Sequence, residues 1–66
     1  MQVIVNGEPR ETTPDATLAT LLVELGLAAG TVVVERNGEI VPGERYGQTA
    51  LEAGDRLEIV RFVGGG

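Results

Sequence analysis

Leu18, Leu21, Leu22 and Leu25 fall at i, i+3, i+4 and i+7, which makes a single apolar stripe along one α-helix. A helix of this kind has one side to bury, and the rest of the chain offers β-rich runs rather than a second such helix: Val3-Ile4-Val5, Val32-Val33-Val34 and Leu57-Glu58-Ile59-Val60. The partner for the stripe is therefore a sheet, and the fold class is α+β, a roll with one helix across one face. Thr13-Pro14-Asp15-Ala16-Thr17 reads as a turn into the helix, with Thr17 or Asp15 as the N-cap. Gly26 supplies the left-handed residue after its end, and Leu27 folds back on the last turn.

The strands announce themselves by their turns. Gln2 to Val5 runs into Asn6-Gly7, and Val32 to Arg36 into Asn37-Gly38, the pair that best tolerates the positive φ angles of a type I′ hairpin. Alternation puts Met1, Val3 and Val5 on the core side and leaves Ile4 on the open face. The returning strand, Glu8 to Thr12, contains Pro9 and suits a sheet edge, where a missing N–H is harmless. Glu39-Ile40-Val41 continues the sheet until Pro42-Gly43 stops it. Glu44 to Thr49 is expected to be an irregular crossing in which Tyr46 is a packing residue, and Leu51 to Asp55 a one-turn element with a tight turn. The last strand runs from Arg56 to Phe62, with Leu57 and Ile59 pointing one way and Glu58, Val60 and Phe62 the other. Either this strand is central and half covered, or Ile4, Val60 and Phe62 form an exposed apolar patch, and both hold if the helix covers only one face. The order β-β-α-β-(β)-β gives a mixed sheet of four to five strands with the first and last strands parallel in its centre. Residues 1–63 are expected to be one domain, followed by a flexible tail of Gly64, Gly65 and Gly66.

Those glycines have no side chains to pack and a high entropic cost of ordering, so their value lies outside the core. They can lie extended in a narrow channel, and they end in an unhindered α-carboxylate, the candidate functional group. Composition leaves few rivals to it. The 66 residues include no cysteine, histidine, serine or tryptophan, which removes thiol and Ser-His nucleophiles and thiolate or imidazole metal sites. The net charge of −5 repels nucleic acid and anionic membrane surfaces. Every cation is an arginine, so no lysine side chain can accept an isopeptide bond. With no basic leader and no long apolar run, a soluble cytoplasmic location is expected.

Val3-Ile4-Val5-Asn6-Gly7-Glu8, Leu25-Gly26-Leu27 after the leucine stripe, Val34-Glu35-Arg36-Asn37-Gly38-Glu39-Ile40-Val41-Pro42, and Gly54-Asp55-Arg56-Leu57-Glu58-Ile59-Val60 with the terminal glycines resemble the ThiS family, sulfur carriers of thiamine biosynthesis. The resemblance covers essentially the whole chain. It implies a ubiquitin-like β-grasp fold, in agreement with the roll read from the pattern. It also implies that a ThiF-like adenylyltransferase, using ATP and magnesium that it binds itself, adenylates Gly66. A persulfide-bearing donor protein then replaces AMP with sulfur, and a ThiG-like thiazole synthase receives the sulfur from the terminal thiocarboxylate. On this reading the chain is a protein cosubstrate and not an enzyme, and it binds no cofactor or metal of its own. Gly64, Gly65 and Gly66 would thread into the partner's site, where a Cβ would collide with the walls. Ile4, Val60 and Phe62 are candidates for the apolar centre of the docking surface, or ordinary sheet residues. Arg61 pairs with an acidic groove of the partner or stays solvated.

A MoaD-like small subunit of molybdopterin synthase would use the same chemistry on a related fold, but the short length and the Asn-Gly-Glu-Ile-Val-Pro segment favour ThiS; another sulfur carrier of this kind, serving cysteine or other metabolite synthesis, is a further alternative. A ubiquitin-like modifier, joined through Gly66 to lysines of its targets, shares the activation step and differs in the product. A non-covalent interaction module would not need Gly65 and Gly66.

Overall fold

A computed structural model describes residues 1–62. Five strands, β1 (Gln2–Val5), β2 (Glu8–Glu11), β3 (Val32–Arg36), β4 (Glu39–Val41) and β5 (Arg56–Arg61), form one sheet in the order β2-β1-β5-β3-β4, with the helix α1 (Leu18–Glu24) between β2 and β3 in the chain. β5 lies in the centre, parallel to β1 and antiparallel to β3. The other pairs are the hairpins β1–β2 and β3–β4.

Both hairpins close through two residues in left-handed conformation, Asn6 and Gly7 at φ 50 and 84, and Asn37 and Gly38 at φ 52 and 88. These are type I′ turns, whose twist matches that of the strands they join. In the first hairpin Pro9 faces Ile4. Ile4 donates its N–H the other way, to the Asp55 carbonyl at 2.8 Å, so the position opposite needs no donor and Pro9 fits the edge.

Thr17, not Asp15, caps α1. The Thr20 N–H donates to Thr17 Oγ1 at 3.2 Å, and the Thr17 N–H donates to Thr20 Oγ1 at 2.9 Å, a capping box with a threonine in place of the usual Glu or Gln. At the other end Leu27 N–H donates to Leu22 O and Gly26 N–H to Val23 O, with Gly26 at φ 74, which is a Schellman motif. Leu18, Leu21 and Leu22 are fully buried against Val3, Val34 and Leu57, and Leu25 and Leu27 pack at the margin. Each full burial contributes about 1.5–3 kcal/mol.

The crossing after Pro42 is more regular than its sequence suggests. Gly43–Gln48 forms 3-10 turns, opened by Arg45 N–H to Pro42 O at 2.9 Å, and they carry Tyr46 into the core at 4% exposure. The residues that follow these turns are tied to the start of the helix by Leu18 N–H to Thr49 O and Leu51 N–H to Ala16 O. The segment from Leu51 to Asp55 holds no helical turn. It is a β-turn closed by Asp55 N–H to Glu52 O at 3.0 Å, with Gly54 at φ 85, where a side chain would be strained.

Candidate functional site

β5 is the element that leads to the carboxy terminus, and the two ends of this strand have different surroundings. Along it Leu57 and Ile59 enter the core, whereas Val60 and Phe62 stand at 60% and 58% exposure on the face that α1 leaves uncovered. Val33 lies directly opposite Val60 on β3 and is half-buried, so Val33, Val60 and Phe62 make one apolar surface at the carboxy-terminal end of the sheet. The strand alternation of Val32-Val33-Val34 was the signal for Val33.

Ile4 does not join that surface. The parallel register sets it opposite Arg56, and it is half-buried. Val60 lies four steps along β5 from that row, about 13 Å at roughly 3.3 Å per residue. The intervening row is acidic, with Glu58 directly opposite Glu35. The expected three-residue patch therefore divides: Val60 and Phe62 stay together, and Ile4 belongs to the far end of the open face. Arg61 falls on the other side of the strand from Val60 and Phe62, opposite Val32, with its side chain exposed. Gly64, Gly65 and Gly66 lie outside the described residues.

At its beginning β5 is anchored by a polar node that reading the sequence did not identify. Asp55, at 6% exposure, accepts from Arg36 Nε at 2.9 Å, Asn37 Nδ2 at 3.1 Å and the Glu52 N–H at 2.8 Å. Asn37 in turn exchanges two bonds with Arg56, accepting its N–H at Oδ1 and donating its own N–H to the Arg56 carbonyl. Burial pushes the Asp55 carboxyl up, but the Glu52 N–H, the Asn37 amide and the Arg36 guanidinium outweigh it and hold the group below the usual carboxylate range. The turn chemistry at Asn37-Gly38 and Gly54-Asp55 was visible in the sequence; that the two turns meet was not. A groove of about 260 Å³, lined by Arg36, Asn37, Ile40, Val41, Pro42 and Arg45 among others, opens beside this node, at the opposite end of β5 from Val60.

Among the described residues no three His, Cys, Asp or Glu side chains gather as metal ligands, and no helix is long and apolar enough to cross a membrane. The node is fully engaged in holding turns together. The arrangement can therefore present the carboxy-terminal segment beside an apolar surface, with a row of carboxylates alongside.

Comparison with known proteins gives this surface a context. The ThiS family model matches residues 3–66. The chain is 50% identical over its full length to a thiazole synthase of Paramagnetospirillum magneticum, of which it spans 20%, and 48% identical over 76% of its length to the sulfur carrier protein ThiS of Bacillus subtilis, of which it covers 76%. Its fold superposes on the crystal structure of a thiamine biosynthesis protein (ThiS) from Geobacter metallireducens with a TM-score of 0.84, at 36% identity and with both chains covered completely. The chain thus spans about a fifth of the length of the thiazole synthases that it matches. The shared architecture is the ubiquitin-like β-grasp.

Proposed function

The chain belongs to the ThiS family, and from that membership we propose that it is a sulfur carrier of thiamine biosynthesis in which the Gly66 carboxylate holds the sulfur. The observation that carries this reading is the family match, which runs through the whole fold and includes the terminal glycines.

A free carboxylate is a poor electrophile and needs a leaving group. In the first step a Gly66 carboxylate oxygen attacks the α-phosphorus of ATP and expels pyrophosphate, giving the acyl adenylate. A persulfide sulfur then attacks the acyl carbon and releases AMP. A thiol attacks the donor-side sulfur of the resulting acyl disulfide, leaving the terminal thiocarboxylate. Charge developing on phosphate and acyl oxygens is stabilised by magnesium and cationic donors. With ten acidic residues against five arginines, this chain is poorly equipped to supply them, so a ThiF-like partner does. The chain is a cosubstrate rather than the catalyst.

Thiazole synthase is the proposed acceptor, because two thiazole synthases each contain a stretch similar to this entire chain. Val60, Phe62 and Val33 form the apolar centre of the docking surface, and the neighbouring Glu35 and Glu58 favour a basic partner and speed association. Ile4 contacts only the margin, and Arg61 faces an acidic wall of the channel that Gly64, Gly65 and Gly66 thread. These steps are placed in the cytoplasm.

The test is mass spectrometry of the intact chain after incubation with a ThiF-like enzyme, ATP, magnesium and a persulfide donor. A gain equal to one oxygen exchanged for sulfur is expected. Higher-mass conjugates would instead identify a protein modifier, and an unchanged mass with competent enzymes would overturn the proposal.

A further inference from the structure

On its β1 side, β5 is paired by backbone groups only part of the way. Ile4 N–H donates to Asp55 O and Asn6 N–H to Leu57 O, both at 2.8 Å. At Asn6 the chain turns away, with φ at 50. The next rung is nevertheless made, by a side chain: Ile59 N–H donates to Asn6 Oδ1 at 2.8 Å, and Asn6 Nδ2 donates to the Ile59 carbonyl at 3.2 Å. A carboxamide offers the same donor and acceptor as a peptide group, so this side chain replaces the strand residue that β1 no longer provides. Beyond Ile59 the described backbone pairing of β5 is with β3, and just past it Phe62 N–H donates to Thr31 O at 2.9 Å.

Position 6 therefore meets two demands at once. The turn requires a residue at ease with positive φ, which favours Asn, Asp or Gly. The rung requires a donor and an acceptor on a short side chain, which Asp and Gly cannot both supply.

We infer that Asn6 is a positioning residue: by closing the last rung beside Ile59 it sets the direction in which the carboxy-terminal segment leaves the sheet, and so how readily Gly66 meets an activating site. The inference rests on the carrier function proposed above. Without the rung, the end of β5 can swing about its β3 edge, and ordering it again raises the cost of docking.

The experiment compares Asn6→Gly with Asn37→Gly in the full chain. Each variant keeps a turn compatible with positive φ and loses side-chain bonds to β5, one set near the strand's end and the other at its beginning. Amide exchange is read by NMR, and adenylation by a ThiF-like enzyme with ATP and magnesium is read as KM and kcat for the carrier. Asn6→Gly is expected to speed exchange at Ile59 and to raise KM roughly 3- to 10-fold, the size expected for one or two net hydrogen bonds, with kcat little changed. Asn37→Gly is expected to lower the melting temperature without raising KM. Unchanged exchange at Ile59 in Asn6→Gly overturns the brace. Unchanged KM, or an equal rise in both glycine variants, overturns the positioning role. Failure of the unaltered chain to be adenylated overturns the carrier function itself, and with it the role assigned to Asn6.

Discussion

Asn6 and Asn37 both precede a glycine in left-handed conformation, at φ 50 and 52, and both reach β5 with their side-chain amides. Asn37 meets the strand at its beginning, among Arg36, Arg56 and the buried Asp55 carboxylate. Asn6 meets it at Ile59, one residue before the exposed Val60. The same local device thus anchors the strand at one end through a charged network and braces it at the other next to an open apolar surface. On the carrier function proposed above, the difference separates stability from function: interactions at the start of β5 hold the fold together, and those at its end would prepare a partner contact.

The largest effect that could break this division lies past the end of the strand. Extending the chain by one residue beyond Gly66 should abolish adenylation and leave the melting temperature unchanged, since the proposed reacting group is the terminal carboxylate. Efficient adenylation of the extended chain in a pyrophosphate-exchange assay would disprove the assignment of Gly66.

At the other end, Asp55→Ala removes the common acceptor of three donors and should cost about 2–4 kcal/mol in urea unfolding at neutral pH. The pH dependence has a defined sign. The folded-state pKa of Asp55 lies below its unfolded value, so its contribution is complete above about pH 4, where the unfolded carboxyl titrates, and is lost as pH falls through the folded value. Wild-type stability should therefore drop on acidification in that range, and Asp55→Asn should flatten the drop. Parallel curves for the two proteins would show that the node carries no such linkage.

A smaller effect is expected on the open face. Replacing Val60 and Phe62 together by alanine should weaken binding to a ThiF-like partner by about 1–2 kcal/mol while changing stability by less than about 0.5 kcal/mol, because both residues are already largely exposed. Calorimetry of the complex beside thermal melts of the free chain would detect the reverse outcome. Ile4→Ala sharpens the contrast: on account of its place beside Arg56, binding should shift by no more than about 0.5 kcal/mol. A loss as large as that of the double variant would return Ile4 to the docking centre.

Much of the architecture was legible in the residues, for reasons that can be named. The leucine stripe, a cap at Thr17 or Asp15, the glycine after α1, both Asn-Gly hairpins and the division of β5 into Leu57 and Ile59 against Val60 and Phe62 depend on spacing within a few residues. The 3-10 turns around Tyr46 were not legible, because their regularity comes from burying one aromatic ring in a core shared with the distant helix α1. For the candidate site, alternation told which face each side chain takes but not which row it occupies. Ile4 and Val60 do share a face, and only the register shows that an acidic row divides them.

The sequence alone therefore determined the helix, the turns, the inward and outward faces of the strands and the resemblance that points to Gly66, since each depends on contacts between near neighbours or on the residues themselves. Tertiary structure decided which rows of β1, β5 and β3 meet: the β3–β5 pairing brings Arg36 and Asn37 to Asp55, and the β1–β5 pairing gives the bond from Asn6 to Ile59 across 53 residues. A period-two pattern looks the same after a slide of two residues along the strand, so only the packing of the whole sheet against α1 selects the register.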